Sequence, residues 1–399
     1  MTRLGDVCAI RYGKDHKKLS DGSIPAYGSG GIIRYVDTAI CEQPSVLIPR
    51  KGTLGNLFYT DEPFWTVDTL FWTDIDQTKI VPKYLYYQLK QKDLASYNVG
   101  TAVPSLTVEV LNEIDLDVPS IDKQRRIVEV LNSFDSKIAL NNQLNDYLEQ
   151  LVDGKFQELF GGLNFNATLS DVAEITMGQS PAGSSYNEEG AGIIFYQGRG
   201  EFGWRFPKRR LYTTEPKRLA CEGDVLMSVR APVGDLNVAF ENCCIGRGLA
   251  AIHSETPSFA LYLMRFLKPQ LEAYNGEGTV FGSINGKALK SLEVALPSHN
   301  EVMQFESFAA PIDALIRSNE NETRKLNNLR NYLLPKLMSG EIDVSKVDLM
   351  QLTNNHLAGR MHWSTVIRVR AIHAVHSRQS QIPAYESVPR VLHSHVTPP

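Results

Sequence analysis

The chain has 399 residues, of which 43% are hydrophobic and 22% charged, with 29 Gly, 20 Pro, 5 Cys and a formal net charge of −4. This composition suits a globular protein of two or three domains and excludes collagen-like, disulfide-scaffold and highly charged disordered chains. With no overall basic excess, any binding to nucleic acid must come from local patches.

Cys8, Cys41, Cys221, Cys243 and Cys244 form no C-x-x-C pair, so a zinc site made of such pairs is excluded. Dispersed cysteines read as small buried hydrophobes in a reducing compartment. The opening MTRLGDVCAI lacks a signal-peptide core, and no apolar run approaches the roughly 20 residues of a spanning helix. These features predict a soluble, cytoplasmic protein with no membrane partner.

In chain order, the first segment opens with Leu4-Gly-Asp-Val-Cys-Ala-Ile-Arg-Tyr-Gly13. The apolar run 45–49, bounded by Gly and Pro, reads as a strand. Tyr84–Lys92, shortly after Pro82, reads as a short helix. Gly100-Thr-Ala-Val-Pro-Ser105 and Asp117-Val-Pro-Ser120 close this first domain, residues 1–120.

Residues 121–162 follow as a long helix. From Asp122 to Phe160 there is no Pro, and apolar residues recur at Ile127, Leu131, Phe134, Ile138, Leu144, Leu148 and Leu151. Steps of three, four and seven are those of a packed helix, on the order of 55 Å long at about 1.5 Å per residue. Gly161-Gly162 supplies the stop.

Residues 163–298 repeat the first domain. Leu169-Ser-Asp-Val-Ala-Glu-Ile-Thr-Met-Gly178 is identical to the opening segment at five of ten positions. Val46–Gly55 recurs as Val225–Gly234, Gly100–Ser105 as Gly278–Ser283, and Asp117–Ser120 as Ala295–Ser298. The run 224–228 reads as the matching strand and Phe259–Lys268, after Pro257, as the matching helix. Ordered matches of this kind are the signature of a tandem duplication. Residues 299–345 then repeat the long helix as Glu301–Met338, with Phe305, Phe308, Ile312, Leu315, Leu326, Leu329 and Leu333 in phase and Gly340 beyond. Pro335 is expected to end or kink it early.

Two such helices bury their stripes most simply against each other, antiparallel, through Phe134, Ile138, Leu148 and Leu151 on one and Ile312, Ile316, Leu326 and Leu329 on the other. Asn141 and Asn319 continue these stripes at equivalent places. A polar Asn in a seam fixes register at a cost in stability; the competing reading is an exposed Asn on a rotated helix. The remaining segment, 346–399, holds six of nine His and a single acid, Glu386, after Asn355. It is predicted to be a disordered extension, with a basic DNA-touching arm as the alternative.

No phosphate-binding G-x-x-x-x-G-K-[ST] loop, H-E-x-x-H pair or N-P-P-Y-type methyltransferase loop occurs. Gly198-Arg-Gly-Glu-Phe-Gly203 spells G-x-G-x-x-G, but the following Trp204-Arg-Phe-Pro207 does not open a helix, so the dinucleotide reading fails. Glu215-Pro-Lys217 lacks the strand and upstream Asp of a nuclease core. His16, His253 and His299 have no evident nucleophile partner. The expectation is no catalysis, no metal and a binding role.

Residues 201–218 carry six positive and two negative charges, from Arg205, Lys208, Arg209, Arg210, Lys217 and Arg218 against Glu201 and Glu215. Phe202, Trp204, Phe206 and Tyr212 interleave with them, as they do on DNA-binding surfaces or in a solvated hairpin. The first domain offers Lys14, Lys17, Lys18, the loop Tyr27-Gly-Ser-Gly-Gly31, and Arg34. A Gly-rich loop brings backbone N–H groups close to phosphate, or makes a tight turn. Lys51 and Arg230 stand at equivalent positions, and Arg199 sits in the Gly-rich stretch of the second domain. Of these cations, Lys14, Lys17, Lys18, Arg34, Lys51, Arg199, Arg205, Lys208, Arg209, Arg210 and Arg230 are the candidate DNA contacts. Thr101, Ser105, Thr279 and Ser283 of the shared G-T-x-x-x-S loop are further candidates for phosphate bonding or turn capping.

The doubled L-x-D-V-x-x-I-x-x-G opening, the G-T-x-x-x-S loop with its P-S strand end, and the long helix carrying I-V-x-x-L-x-x-x-D resemble the DNA-specificity subunit of type I restriction–modification systems over roughly residues 1–345. The resemblance implies an α+β fold. Two tandem mixed α/β target-recognition domains would be separated by two long helices forming an antiparallel coiled coil, with pseudo-twofold symmetry. It implies a non-catalytic subunit that binds double-stranded DNA, each domain reading half of a bipartite, asymmetric site. Its partners would be modification methyltransferase and restriction motor-nuclease subunits, which carry S-adenosylmethionine, ATP and Mg²⁺. The alternatives are a protein–protein scaffold without DNA selectivity and a stand-alone DNA-modifying enzyme.

Overall fold

The computed structural model describes residues 2–100, 103–275 and 282–347. The chain divides into two compact units, Met1–Asp135 with Leu329–Pro399, and Ser136–Asn328. Each long helix gives one end to one unit and its other end to the other.

The first unit opens with β1 (Thr2–Arg3), α1 (Leu4–Val7) and β2 (Cys8–Tyr12), then β3 (Asp21–Gly28), β4 (Gly31–Val36), β5 (Ser45–Pro49), β6 (Phe58–Thr60), β7 (Trp65–Thr66) and β8 (Leu70–Ile75). α2 (Pro82–Lys90), α3 (Val108–Asn112) and β9 (Asp115–Leu116) lead into α4 (Ile121–Phe160). The strands form an antiparallel sheet β2-β8-β5-β6, a sheet β4-β3-β7 in which β3 and β7 are parallel, and the pair β1-β9.

The second unit contains β10 (Ala167–Thr168), α5 (Leu169–Val172), β11 (Glu174–Met177), β12 (Tyr186–Asn187), β13 (Ile193–Tyr196), β14 (Leu211–Thr213) and β15 (Leu219–Ala220). β16 (Val225–Ser228), β17 (Leu236–Val238), β18 (Cys243–Ile245) and β19 (Leu249–His253) follow, then α6 (Pro257–Phe266), α7 (Lys268–Glu272), α8 (Gly286–Lys290), β20 (Glu293–Val294) and α9 (His299–Met338). Its sheets run β11-β19-β16-β17 and β12-β14-β13-β18-β15, with β13 and β18 parallel, plus β10-β20. The four-strand order of the first unit is repeated, and β4-β3-β7 recurs as β14-β13-β18 with β12 and β15 added at the edges, so the duplication read from sequence is a duplication of core topology.

The opening motif has a structural cause in both copies. Leu4 and Leu169 are buried, and their N–H groups donate to Ile114 and Leu292 carbonyls at 2.9 Å in each copy. The Asp6 and Asp171 carboxylates accept from the Arg3 and Thr168 N–H groups, closing the first turn of a helix too short to hold itself. Gly13 and Gly178 donate to Leu70 and Leu249 carbonyls. A Cβ at either glycine would meet a backbone oxygen at 2.0 or 2.2 Å, so no larger residue fits.

The short helices lean on the long ones. Pro82 and Pro257 open α2 and α6 as expected. In the first unit Gln124 of α4 is fully buried and accepts from the Val81 N–H at 2.8 Å. In the second, the Glu306 carboxylate of α9 accepts from the Ser258 and Phe259 N–H groups at the start of α6. Phe156 packs edge-on or tilted against Phe160, Phe259, Phe266 and Phe305, joining α4, α6 and α9 in one aromatic core.

The helices pair antiparallel. Within the second unit Lys137 meets Glu322 at 3.2 Å, and Asn145 meets Asn319 at 2.8 Å. Asn141 is buried and donates to the Glu322 carboxylate at 2.8 Å, so the seam reading of both asparagines holds and the exposed reading does not. Phe134, Ile316 and Leu326 are buried, while Ile138, Leu148, Ile312 and Leu329 are half-buried.

Two expectations need correction. Leu151 is 54% exposed and Leu144 and Leu315 also face solvent, because the seam passes through Asn145, Val152 and Phe156, one residue out of phase with that leucine row. Pro335 does not end α9: the helix continues to Met338, and the Ser339 N–H still donates to the Pro335 carbonyl at 2.9 Å. Buried Leu334, Leu337 and Met338 hold this last turn against the loss of one N–H. The expectations for residues 348–399, Thr101 and Thr279 lie outside the described residues. Among the described residues no helix is long and apolar enough to cross a membrane.

Candidate nucleic-acid interface

In the first unit, Lys14, Lys17 and Lys18 lie exposed on the loop after β2. That loop is fixed from its backbone: the Lys14 N–H donates to the Thr66 carbonyl at 2.8 Å, and its own carbonyl accepts from Trp65 Nε1 at 3.0 Å. The Lys17 N–H donates to the Asp15 carboxylate at 3.0 Å, a bond that holds the Asp15 pKa below its ordinary value. Arg34 on β4 is engaged by Asp21 at 2.6 Å and by the Leu19 carbonyl at 3.2 Å. The Gly-rich loop joins β3 to β4 as a tight turn, with Gly31 at φ +118°. Lys51 is exposed, and its backbone forms a bridge with Ser105.

The same bridge recurs in the second unit between Arg230 and Ser283. The Leu106 N–H to Arg50 carbonyl bond and the Ile284 N–H to Val229 carbonyl bond match as well. This places Lys51 and Arg230 at one structural position, as their sequence context implied.

The basic segment of the second unit is rearranged by packing. Arg205 is a correction: its side chain is only 4% exposed and points inward to Glu149 at 3.0 Å, Asp313 at 2.8 Å and the Tyr262 hydroxyl at 3.2 Å. Burial opposes its charge, while Tyr262, Asp313 and Glu149 favour it, and its pKa rises on balance. It is a structural cation and cannot reach a phosphate without breaking this network.

Arg209 and Arg210 remain exposed, paired with Glu241 at 2.5 Å and Glu201 at 3.0 Å. Lys208 is exposed, and its N–H donates to the Glu201 carbonyl at 2.7 Å. Phe206 is buried against Phe240. The Phe240 ring in turn lies 4.6 Å from both the Arg317 and Arg324 guanidiniums of α9. Interleaving aromatics with cations therefore docks the segment on α9 rather than presenting rings for base stacking; Trp204 alone of the four is exposed.

Two clefts open in the second unit. One, of about 840 Å³, is lined by Phe156, Phe202, Asn237, Tyr262, Arg265 and Phe266 among others. A smaller one, of about 250 Å³, gathers Arg199, Arg230 and Arg247 with Ser180 and Gln197. Arg199 is ion-paired with Asp235, while Arg230 and Arg247 are exposed. Sequence reasoning missed Arg247. The signal was a cation between Gly246 and Gly248 at the turn joining two apolar strands, the same pattern that singled out Lys51 and Arg230.

Cys221, Asp224 and His253 bring three potential metal-ligand atoms within 4.8 Å of one another. The Asp224 carboxylate is already engaged, accepting from the Cys221 N–H at 2.7 Å and bonding His253 Nδ1 at 2.6 Å. The cluster is accounted for as a turn tied to a strand end.

Residues 1–150 and 166–331 each match the family model described as the type I restriction modification DNA specificity domain. The chain is 34% identical over 298 residues to the type I restriction enzyme MjaX specificity subunit of Methanocaldococcus jannaschii, covering 67% of this chain and 70% of the relative. It is 23% identical over 360 residues to the MjaIX specificity subunit of the same organism, covering 79% and 81% respectively. The crystal structure of a type I restriction–modification S subunit from M. genitalium shares the fold, with a TM-score of 0.58 at 16% identity over 84% of this chain and 95% of that one.

Proposed function

Since the chain belongs to the type I restriction–modification DNA-specificity family, we propose that each of its two globular domains reads one half of a bipartite, asymmetric site in double-stranded DNA. The observation that carries this reading is the repeated topology with divergent surfaces. Two copies of one fold, sharing a core of matching strands, present different side chains at equivalent loops. One scaffold with two surfaces suits a site whose halves differ.

In this reading the chain is non-catalytic and cytoplasmic, and it directs methyltransferase and motor-nuclease subunits that supply the S-adenosylmethionine, ATP and Mg²⁺ chemistry. A second feature supports the partner subunits. Leu140, Leu144, Tyr147 and Leu151 form an exposed apolar row on α4, spaced at the same steps of four and three as the seam beside it. Such a row, left open in the isolated chain, is what a partner's helix would cover.

The DNA candidates of this reading are Lys14, Lys17, Lys18, Arg34, Lys51, Arg199, Lys208, Arg209, Arg210 and Arg230, without Arg205. The test is reconstitution: methyltransferase subunits with this chain should modify adenine within one bipartite sequence, and the same subunits without it should not. Equal, unselective modification in both arms contradicts the reading.

A further inference from the structure

We propose that the small arginine cleft of the second domain grips a backbone phosphate of the bound duplex, and that the first domain has no equivalent grip; this rests on the DNA-specificity reading. The cleft holds about 250 Å³ and is lined by three arginines, Arg199, Arg230 and Arg247, with Ser180 and Gln197 beside them. No carboxylate lines it. Arg199 is already balanced by Asp235, which leaves Arg230 and Arg247 as two cations without an ion-pair partner among the described residues.

The backbone fixes where these cations stand. Arg230 is bridged to Ser283, and the preceding Val229 N–H donates to the Gly248 carbonyl at 3.0 Å. The Arg247 N–H donates to Ser180 Oγ at 3.2 Å. Gly248 lies so close to residues 197 and 198 that a Cβ there would meet the Gln197 oxygen at 2.9 Å. The backbone beside the cleft is therefore closely packed, and two of its three arginines, Arg230 and Arg247, are exposed. Several arginines lining one concavity suit a tetrahedral oxyanion with several accepting oxygens. A guanine edge is instead met by one arginine fork projecting into the major groove.

The first domain has the same backbone and different charges. The Gly246 N–H to Tyr196 carbonyl bond matches Val67 N–H to Tyr27 carbonyl, and the Val229 to Gly248 bond matches Arg50 N–H to Thr69 carbonyl. Arg230, Arg247 and Arg199 accordingly take the places of Lys51, Asp68 and Gly30. At these three positions the second domain has three cations, and the first has one cation and one anion. The grip on the sugar–phosphate chain is thus unequal between the two half-sites.

The test uses the full chain assembled with its methyltransferase subunits, on a duplex carrying the target and on one without it. Arg230→Ala and Arg247→Ala should each weaken binding to both duplexes by the same factor, about five- to tenfold at physiological salt, and lower the salt slope by about 0.9. Asp68→Arg should strengthen binding to both. Circular dichroism spectra matching the wild type establish that the variants fold. Unchanged affinity and slope in both alanine variants overturn the phosphate site. A loss confined to the target duplex also overturns it, by assigning the arginines to base reading. If the wild-type complex itself shows no preference for either duplex, the DNA-specificity reading fails first, and the site falls with it.

Discussion

Asn319 Nδ2 donates to Asn145 Oδ1 at 2.8 Å inside the helix pair, where both residues are buried. Asn141 adds bonds to Glu322 at 2.8 Å and Thr323 at 3.3 Å, so polar contacts interrupt an otherwise apolar seam over two turns. A register shift would leave these groups buried and unpaired. Replacing Asn145 alone by Leu should cost about 1–3 kcal/mol, because it strands the Asn319 amide. The Asn145→Leu/Asn319→Leu double variant should recover much of that loss while weakening the specification of register. Urea denaturation of the four proteins in a double-mutant cycle checks this. Strictly additive losses would mean the two asparagines do not act as a pair.

Arg205 and its sequence neighbours separate structure from binding. Arg205→Ala leaves Glu149, Asp313 and Tyr262 facing a buried gap and should destabilise the second unit by about 3–5 kcal/mol. Arg209→Ala removes an exposed pair and should change stability by less than about 1 kcal/mol, whereas Arg210→Ala leaves the buried Glu201 carboxylate without its cation and should cost about 1–3 kcal/mol. That same pair of changes should weaken DNA binding and flatten its salt dependence. Melting curves and binding titrations over a range of salt distinguish the two classes.

His253 bonds Asp224, and this hydrogen bond, followed by the carboxylate's charge, raises the imidazole pKa above its ordinary value. A raised folded pKa gives stability that is complete below the ordinary histidine value of about 6.5 and is lost as pH rises through the folded value. The stability difference between the wild type and His253→Ala should therefore shrink from pH 6 to pH 8.5. The effect is small because the ring is half exposed. Denaturation midpoints of both proteins across that range are the check; a difference that grows with pH reverses the sign and refutes the assignment.

The exposed row on α4 makes a prediction about assembly. Leu144→Lys with Leu151→Lys should leave the isolated chain as stable as the wild type, since both side chains already face solvent. It should prevent methyltransferase subunits from co-eluting with the chain in size-exclusion chromatography with light scattering. A normal complex would place the docking surface elsewhere.

The duplication, the two long helices and their register asparagines were legible because they rest on local spacing and on motifs that one copy checks against the other. The phase of the seam was less legible. Leu144, Leu148 and Leu151 offered an apolar row beside Asn145, Val152 and Phe156, and only packing decided which row turned inward. Charge runs were the weakest guide. Arg205 stands three residues before the exposed run Lys208-Arg209-Arg210, yet Glu149 and Asp313, distant in the chain, draw it inside. Arg247 was overlooked for the converse reason: it is isolated in sequence and joins Arg199 and Arg230 only after β13, β18 and β19 are assembled.

The most direct measurement of the central claim is single-molecule mapping of methylated adenine in cells whose chain has residues 163–298 replaced by the matching region of a relative. The account predicts that one half of the modified sequence changes and the other stays as it was. A motif that is unaltered, or that changes in both halves at once, would contradict independent reading by the two domains.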